Sequence, residues 1–238
     1  MLQAILFDFN GVIIDDEPLQ MKAYQQLLDA EGITLTETDY YGSLGMDDVT
    51  FVRAAFERAG RTVSDEAMNA IIERKTELHR ELIKDDLPLF PGVVNFIKNT
   101  SRHYALGLVS MARQAEINHV LERARLENAF TVRVSAEDVS VCKPDPACYR
   151  LALERLNEKR RASNEPPVLP EECLVIEDAP PGIQSGRAAG MRTLGVTNTV
   201  NEEELRAANA DVVTHNLYDW NADAVHHVFA EGRRDSGF

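Results

Sequence analysis

Four short clusters in the 238-residue sequence carry side chains that could act together on phosphorus. Asp8, with Asn10 and Gly11 just beyond it, closes one apolar run, and Ser110, followed by Met111, closes a second. Lys143 stands before Pro144, and Glu177-Asp178 ends a further run. A carboxylate can attack a phosphoryl group to give an aspartyl-phosphate, which splits one hard displacement into two easier ones. Magnesium suits such a site because it takes oxygen ligands, often one or two carboxylates plus substrate phosphate. Asp8 and Asp178 could supply them, with Glu177 orienting a bound water. Lys143 and Ser110 could offset charge on the phosphoryl oxygens. Gly11 and Met111 are counted with Ser110 and Lys143 as substrate-binding positions. Taken alone, Ser110 is an ordinary strand-end hydroxyl and Lys143 a solvated lysine.

Convergence requires elements that bring the four clusters to one edge. The apolar runs Ala4–Phe9, Tyr104–Val109, Phe130–Val134, Cys173–Ile176, Arg192–Val196 and Asp211–Thr214 lack strict alternation. That pattern suits strands buried on both faces of a parallel sheet. Helical periodicity separates them, as where Tyr149, Ala152, Leu153 and Leu156 share one face after an Asp145-Pro146 start. The expected class is α/β, a doubly wound Rossmann-like parallel sheet, with ligands beyond the carboxyl ends of the strands. One stretch departs from the alternation. Leu19–Ala30, Asp48–Ala59 and Ser64–Ile83 all read as amphipathic helices, with no strand between them. Residues 17–86 are therefore expected to form an all-helical cap inserted into a core of residues 1–16 and 87–238. Asn157–Pro170, polar and proline-bearing, is expected to be a surface loop.

Composition narrows the partners. A formal charge of −14 argues against nucleic acid, whose phosphates are bound by clustered Lys and Arg. An anionic substrate then needs a local positive site, which a divalent cation would provide. Three cysteines without a CxxC pair argue against a disulfide framework or zinc site, and the six histidines show no metal-ligating spacing. His226 and His227 are expected to be solvated. No apolar run approaches the roughly 20 residues needed to span a bilayer, and no secretory leader is read at Met1. The expectation is a soluble, cytoplasmic, monomeric protein with no membrane partner.

The segment Phe7-Asp8-Phe9-Asn10-Gly11-Val12-Ile13-Ile14-Asp15 resembles the first motif of the haloacid dehalogenase superfamily. Val109-Ser110, Lys143-Pro144-Asp145-Pro146 and Glu177-Asp178-Ala179-Pro180-Pro181-Gly182-Ile183 resemble its second, third and fourth, in the family's order. The helical insertion looks like a cap of the β-phosphoglucomutase type. This resemblance implies that Asp8 is nucleophile and metal ligand, and that Asn10 is a ligand through its backbone carbonyl. It implies Asp178 as a ligand with Glu177 beside it, and Ser110 and Lys143 as the phosphoryl-binding pair. Asp15 and Asp16 are read as hinge or helix-capping residues.

Asn10 departs from the family, whose phosphatases carry there an aspartate that serves as general acid and base. An amide has no titratable proton near neutral pH, and loss of such a group typically costs about 10²- to 10⁴-fold. A native amide, an engineered one and partial deamidation before Gly11 are all open, and a native residue is taken. Dehalogenases also lack that aspartate but use no magnesium, which the Glu177-Asp178 pair argues against. Phosphonate-cleaving members use a cap lysine near Gly45–Asp48, and none stands there. Mutases place an arginine in that stretch to hold a second phosphate, where Asp48 would repel one, and a His where Gln20 stands. The expected function is a magnesium-dependent phosphatase of a small phosphorylated metabolite such as a sugar phosphate, attenuated at Asn10. The alternatives are a catalytically impaired protein that binds phosphate and metal as a sensor or partner, and a sugar-phosphate mutase.

Overall fold

Residues 1–231 are described by a computed structural model of the chain. Six parallel strands form one sheet: β1 Ala4–Phe7, β2 Ala105–Val109, β3 Val132–Val134, β4 Cys173–Glu177, β5 Arg192–Val196 and β6 Val212–Thr214, in the order β3-β2-β1-β4-β5-β6. All six expected strands are present. β1 and β4 are buried along their whole length, as the unbroken apolar runs required. Two apolar clusters cover the two faces of the sheet, Phe7, Phe96, Leu106 and Ile176 in one, Leu6, Tyr149, Leu156 and Val175 in the other. The sheet is thus an α/β doubly wound core.

After β1 come α1 Glu17–Ala30, α2 Glu37–Tyr41, α3 Asp48–Arg58 and α4 Asp65–Leu82. Thr36, Asp47 and Ser64 each cap the helix that follows by accepting a backbone N–H. These helices bury a core of their own around Tyr24, Leu28, Phe51, Phe56 and Ile72. The two connections to the sheet run side by side, with Asp15 donating its N–H to Pro88 O at 2.7 Å and Phe90 donating to Ile13 O at 3.1 Å. The remaining helices are α5 Val93–Thr100, α6 Gln114–Ala124, α7 Ala147–Ala162, α8 Pro180–Ala188, α9 Glu202–Ala207 and α10 Ala222–Glu231. Among the described residues no helix is long and apolar enough to cross a membrane.

Two local expectations need correction. Residues 157–162 continue α7, so the loop is shorter than Asn157–Pro170. Its charged residues have no apolar stripe of their own, yet helix propensity carries them on, and the Asn157 side chain pairs with both backbone groups of Val168. Pro146, not Asp145, occupies the cap position of α7, although Asp145 still accepts the N–H of Ala147 at 2.9 Å. The five-residue α2 is too short to show a helical period in the sequence.

Candidate active site

Chain order reverses between the central neighbours β1 and β4, which is where open α/β sheets form their ligand crevice. Asp8 follows β1 and donates its N–H to Ile176 O at 3.0 Å, so its side chain leaves the sheet beside Glu177 and Asp178 at the end of β4. One carboxylate oxygen from each of the three lies within 4.8 Å of the others, and all three residues are buried. Lys143 Nζ reaches Asp8 Oδ1 and Glu177 Oε1, each at 2.7 Å, and Val109 O at 3.3 Å. The Tyr149 hydroxyl donates to the same Glu177 oxygen. Ser110, at the end of β2, accepts the Ala112 N–H on its Oγ at 3.0 Å, which leaves its hydroxyl proton for another partner. Met111 is buried beside it. A cavity of about 110 Å³ runs from these side chains to the inner surface of helices α1–α4.

Three buried carboxylates face one ammonium here. Burial, then the Asp8 charge, push Glu177 up to about 8 against the pull of Lys143. Burial, then Asp8 and Glu17, push Asp178 well above the usual carboxylate range. For Lys143 burial works the other way, but Asp8 and Glu177 outweigh it and hold its pKa above the usual lysine value. An all-oxygen donor set with this excess of negative charge fits a hard divalent cation, which would stabilise the ionised carboxylates. Two glycines make room for that geometry. A Cβ on Gly11, at φ +74°, would lie 1.8 Å from Asp178 Oδ2, and one on Gly182 would lie 1.9 Å from Glu177 Cδ. Gly11 itself stands behind Asp178 and is not part of the cavity wall.

Asn10 is at the cavity, but its amide is engaged elsewhere. Nδ2 donates to both oxygens of Asp16, at 2.9 and 3.0 Å. Its backbone carbonyl accepts no hydrogen bond among the described residues. Gly11 N, the atom that attacks the side chain in deamidation, is held by Ile14 O at 2.9 Å, which works against that route. Asp16 precedes α1 but makes no cap bond with its side chain. Fully buried, it accepts from Asn10, from Gln20 Nε2 at 3.0 Å and from His79 Nε2 at 2.7 Å. A capping role therefore does not describe its side chain.

On the side of helices α1–α4, Lys75 Nζ sits 3.1 Å from Asp48 Oδ1 and 3.1 Å from both oxygens of Glu116, a residue of α6. Asp48 also accepts the Tyr24 hydroxyl at 2.5 Å. The Asp48 charge is thus partly offset by Lys75, which the sequence reading did not foresee. Lys75 and His79 were legible in principle. Met68, Ile71 and Ile72 define the apolar stripe of α4, and both polar residues continue it.

The family profile of haloacid dehalogenase-like hydrolases matches residues 2–190. The chain belongs to that family. As a haloacid dehalogenase-like hydrolase it is an enzyme, and its curated relatives include phosphatases. A phosphorylated carbohydrates phosphatase of Thermotoga maritima is 31% identical over 215 residues, 84% of this chain and 88% of that protein. A fructose-1-phosphate phosphatase of Escherichia coli is 27% identical over 192 residues, 81% of this chain and 95% of that one. A β-phosphoglucomutase structure from Clostridium difficile has the same fold, with a TM-score of 0.84 at 24% identity over 97% of this hydrolase and 98% of its own chain.

Proposed function

We propose that this hydrolase is a magnesium-dependent phosphatase of a small phosphorylated sugar, working through an aspartyl-phosphate on Asp8. The observation that carries the reading is the buried group of Asp8, Glu177 and Asp178 around a single lysine. The carbohydrate substrate class is supported by the two phosphatase relatives. Asp8, Asp178 and the Asn10 carbonyl would hold the magnesium, whose positive charge offsets the carboxylates and the phosphoryl oxygens. Asp8 attacks phosphorus and the P–O bond to the sugar breaks, the departing oxygen taking its proton from water. A water then hydrolyses the aspartyl-phosphate, releasing phosphate and restoring Asp8. Lys143 fixes Asp8 and faces the transferring group, and the Ser110 hydroxyl donates to a phosphoryl oxygen. Glu177, engaged by Lys143 and Tyr149, positions the lysine. Asn10 cannot protonate the leaving oxygen, so the first step is slow for poor leaving groups, by about 10²- to 10⁴-fold. Residues 17–86 act as a cap that excludes water and selects the substrate, with Lys75 joining cap to core.

Release of phosphate from p-nitrophenyl phosphate and a panel of sugar phosphates tests the reading. Magnesium-dependent turnover that disappears in Asp8→Asn is expected. No turnover with any ester would favour the binding-protein alternative, which Asn10 and its engagement by Asp16 support. A mutase is disfavoured, because Lys75 is already shared by Asp48 and Glu116 and offers little to a second phosphate.

A further inference from the structure

Asp16 decides which way two amides face. A carboxylate only accepts hydrogen bonds, so the side-chain NH₂ groups of Asn10 and Gln20 are both turned to it. Their carbonyl oxygens are left for other partners and find none among the described residues. Gln20, 5% exposed, has a buried Oε1 with no donor, and Asn10 Oδ1 accepts no bond from any described residue. Asn10 and Gln20 both border the cavity that holds Asp8, whereas Asp16 lies behind its wall. Where a proton donor would serve a leaving oxygen, this chain offers acceptors.

The charge on the same wall is mostly negative. Away from Asp8, Glu177, Asp178 and Lys143 it carries Asp47, Asp48 and Glu116 against Lys75. Asp48 Oδ2 is buried without a partner. The adjoining cleft repeats the imbalance, with Glu73 and Glu137 joining Asp47 and Asp48 against Arg113. A second phosphate or a carboxylate on the ligand would meet net repulsion. A cationic donor would satisfy both the vacant oxygens and the field.

We propose that the organic part of the substrate carries an ammonium group that docks against the carbonyl oxygens of Asn10 and Gln20. The substrate is then an aminated phosphate monoester, and Asp16 is the residue that positions both amides. The assignment rests on the phosphatase reading for its phosphoryl end only.

Three esters of matched length test it: 2-aminoethyl, 2-hydroxyethyl and n-propyl phosphate. Each competes with p-nitrophenyl phosphate in the magnesium-loaded protein, so that the inhibition constant reads affinity and not leaving-group reactivity. The aminoethyl ester is expected to bind at least about tenfold tighter than the propyl ester, with the hydroxyethyl ester between them. In Asp16→Asn, whose amide lets its neighbours turn over, and in Gln20→Leu, the aminoethyl-to-propyl ratio within each variant falls below about threefold. Equal constants for the three esters in the unaltered protein overturn the proposal. So does tightest binding of the hydroxyethyl ester. Should p-nitrophenyl phosphate not be hydrolysed, the phosphatase reading fails separately. Calorimetric titration of the same esters then decides, the same order supporting the proposal and equal affinities overturning it.

Discussion

Replacing Asn10 by aspartate would set a carboxylate against the buried carboxylate of Asp16. The present amide nitrogen lies 2.9 and 3.0 Å from the two Asp16 oxygens. Two unit charges at that separation repel by about 6 kcal/mol at an effective dielectric of about 20. The pair can escape by holding one proton. At pH 7 that means protonating an acid of ordinary pKa about 3.9, roughly three units uphill or about 4 kcal/mol. The cheaper route prevails, so Asn10→Asp should lose about 4 kcal/mol at pH 7, or roughly 8–16 °C in Tm for a chain of this size. The sign follows from the raised carboxyl pKa in the folded state. The variant is least penalised near pH 4 and loses about 1.4 kcal/mol for each unit of pH above that. Asn10→Asp combined with Asp16→Asn should recover the stability, because the new amide can donate to the new acid. Thermal melts of chelator-treated protein at pH 5 and pH 7 measure this. Turnover follows the same logic: at least about a tenfold gain in the double variant and a smaller one in the single. A single variant as stable as its parent at pH 7, with the full gain in turnover, would refute the coupling.

Other consequences are equally direct. Lys75→Met strands Asp48 and Glu116 without their shared cation and should cost about 3–5 kcal/mol in urea unfolding, well beyond the cost of an exposed lysine. Burial opposes the charge on Glu116, but Lys75 and His79 prevail and hold its pKa below the usual value. The stability it adds is therefore present above about pH 4.5 and lost as pH falls through its lower folded pKa, and Lys75→Met should remove that acid limb. Glu17 is pushed up to about 7, by burial first and then by the Asp16 charge. In metal-free protein its cost should grow between pH 4.5 and 7, so Glu17→Gln should gain up to about 3 kcal/mol at pH 8 and nothing at pH 4. Gly182→Ala forces the Glu177 carboxylate aside and with it Lys143; kcat/KM should fall about 10²-fold while circular dichroism keeps the parent's helix content.

Much of this was legible in the sequence because the central strands are buried on both faces and so read as unbroken apolar runs. Ala4–Phe7 and Cys173–Glu177 are the clearest cases, and each ends in the residues that could do chemistry. Helices α1, α3 and α4 were legible by period, but the polar residues between them and the sheet were not. Asp16 meets His79 across 63 positions, and Lys75 meets Glu116 across 41, so no local spacing announces either pair. Asp16 also sits where a helix cap is the ordinary expectation for an aspartate. Only the folded arrangement shows its side chain turned inward, and with it the reason an amide suits position 10. The α7 boundary was missed for a simpler reason. Glu158 to Arg161 carry only charge, and a solvated helical turn leaves no hydrophobic period to read.

The covalent step is the point at which the account is most exposed. Protein quenched in acid during turnover of p-nitrophenyl phosphate with magnesium, then digested and weighed by mass spectrometry, should carry one phosphoryl group on the peptide that contains Asp8. That mass should vanish in Asp8→Asn and on treatment with hydroxylamine. Phosphate released at a steady rate with no acyl-phosphate on that peptide, or with the label on another residue, would contradict it.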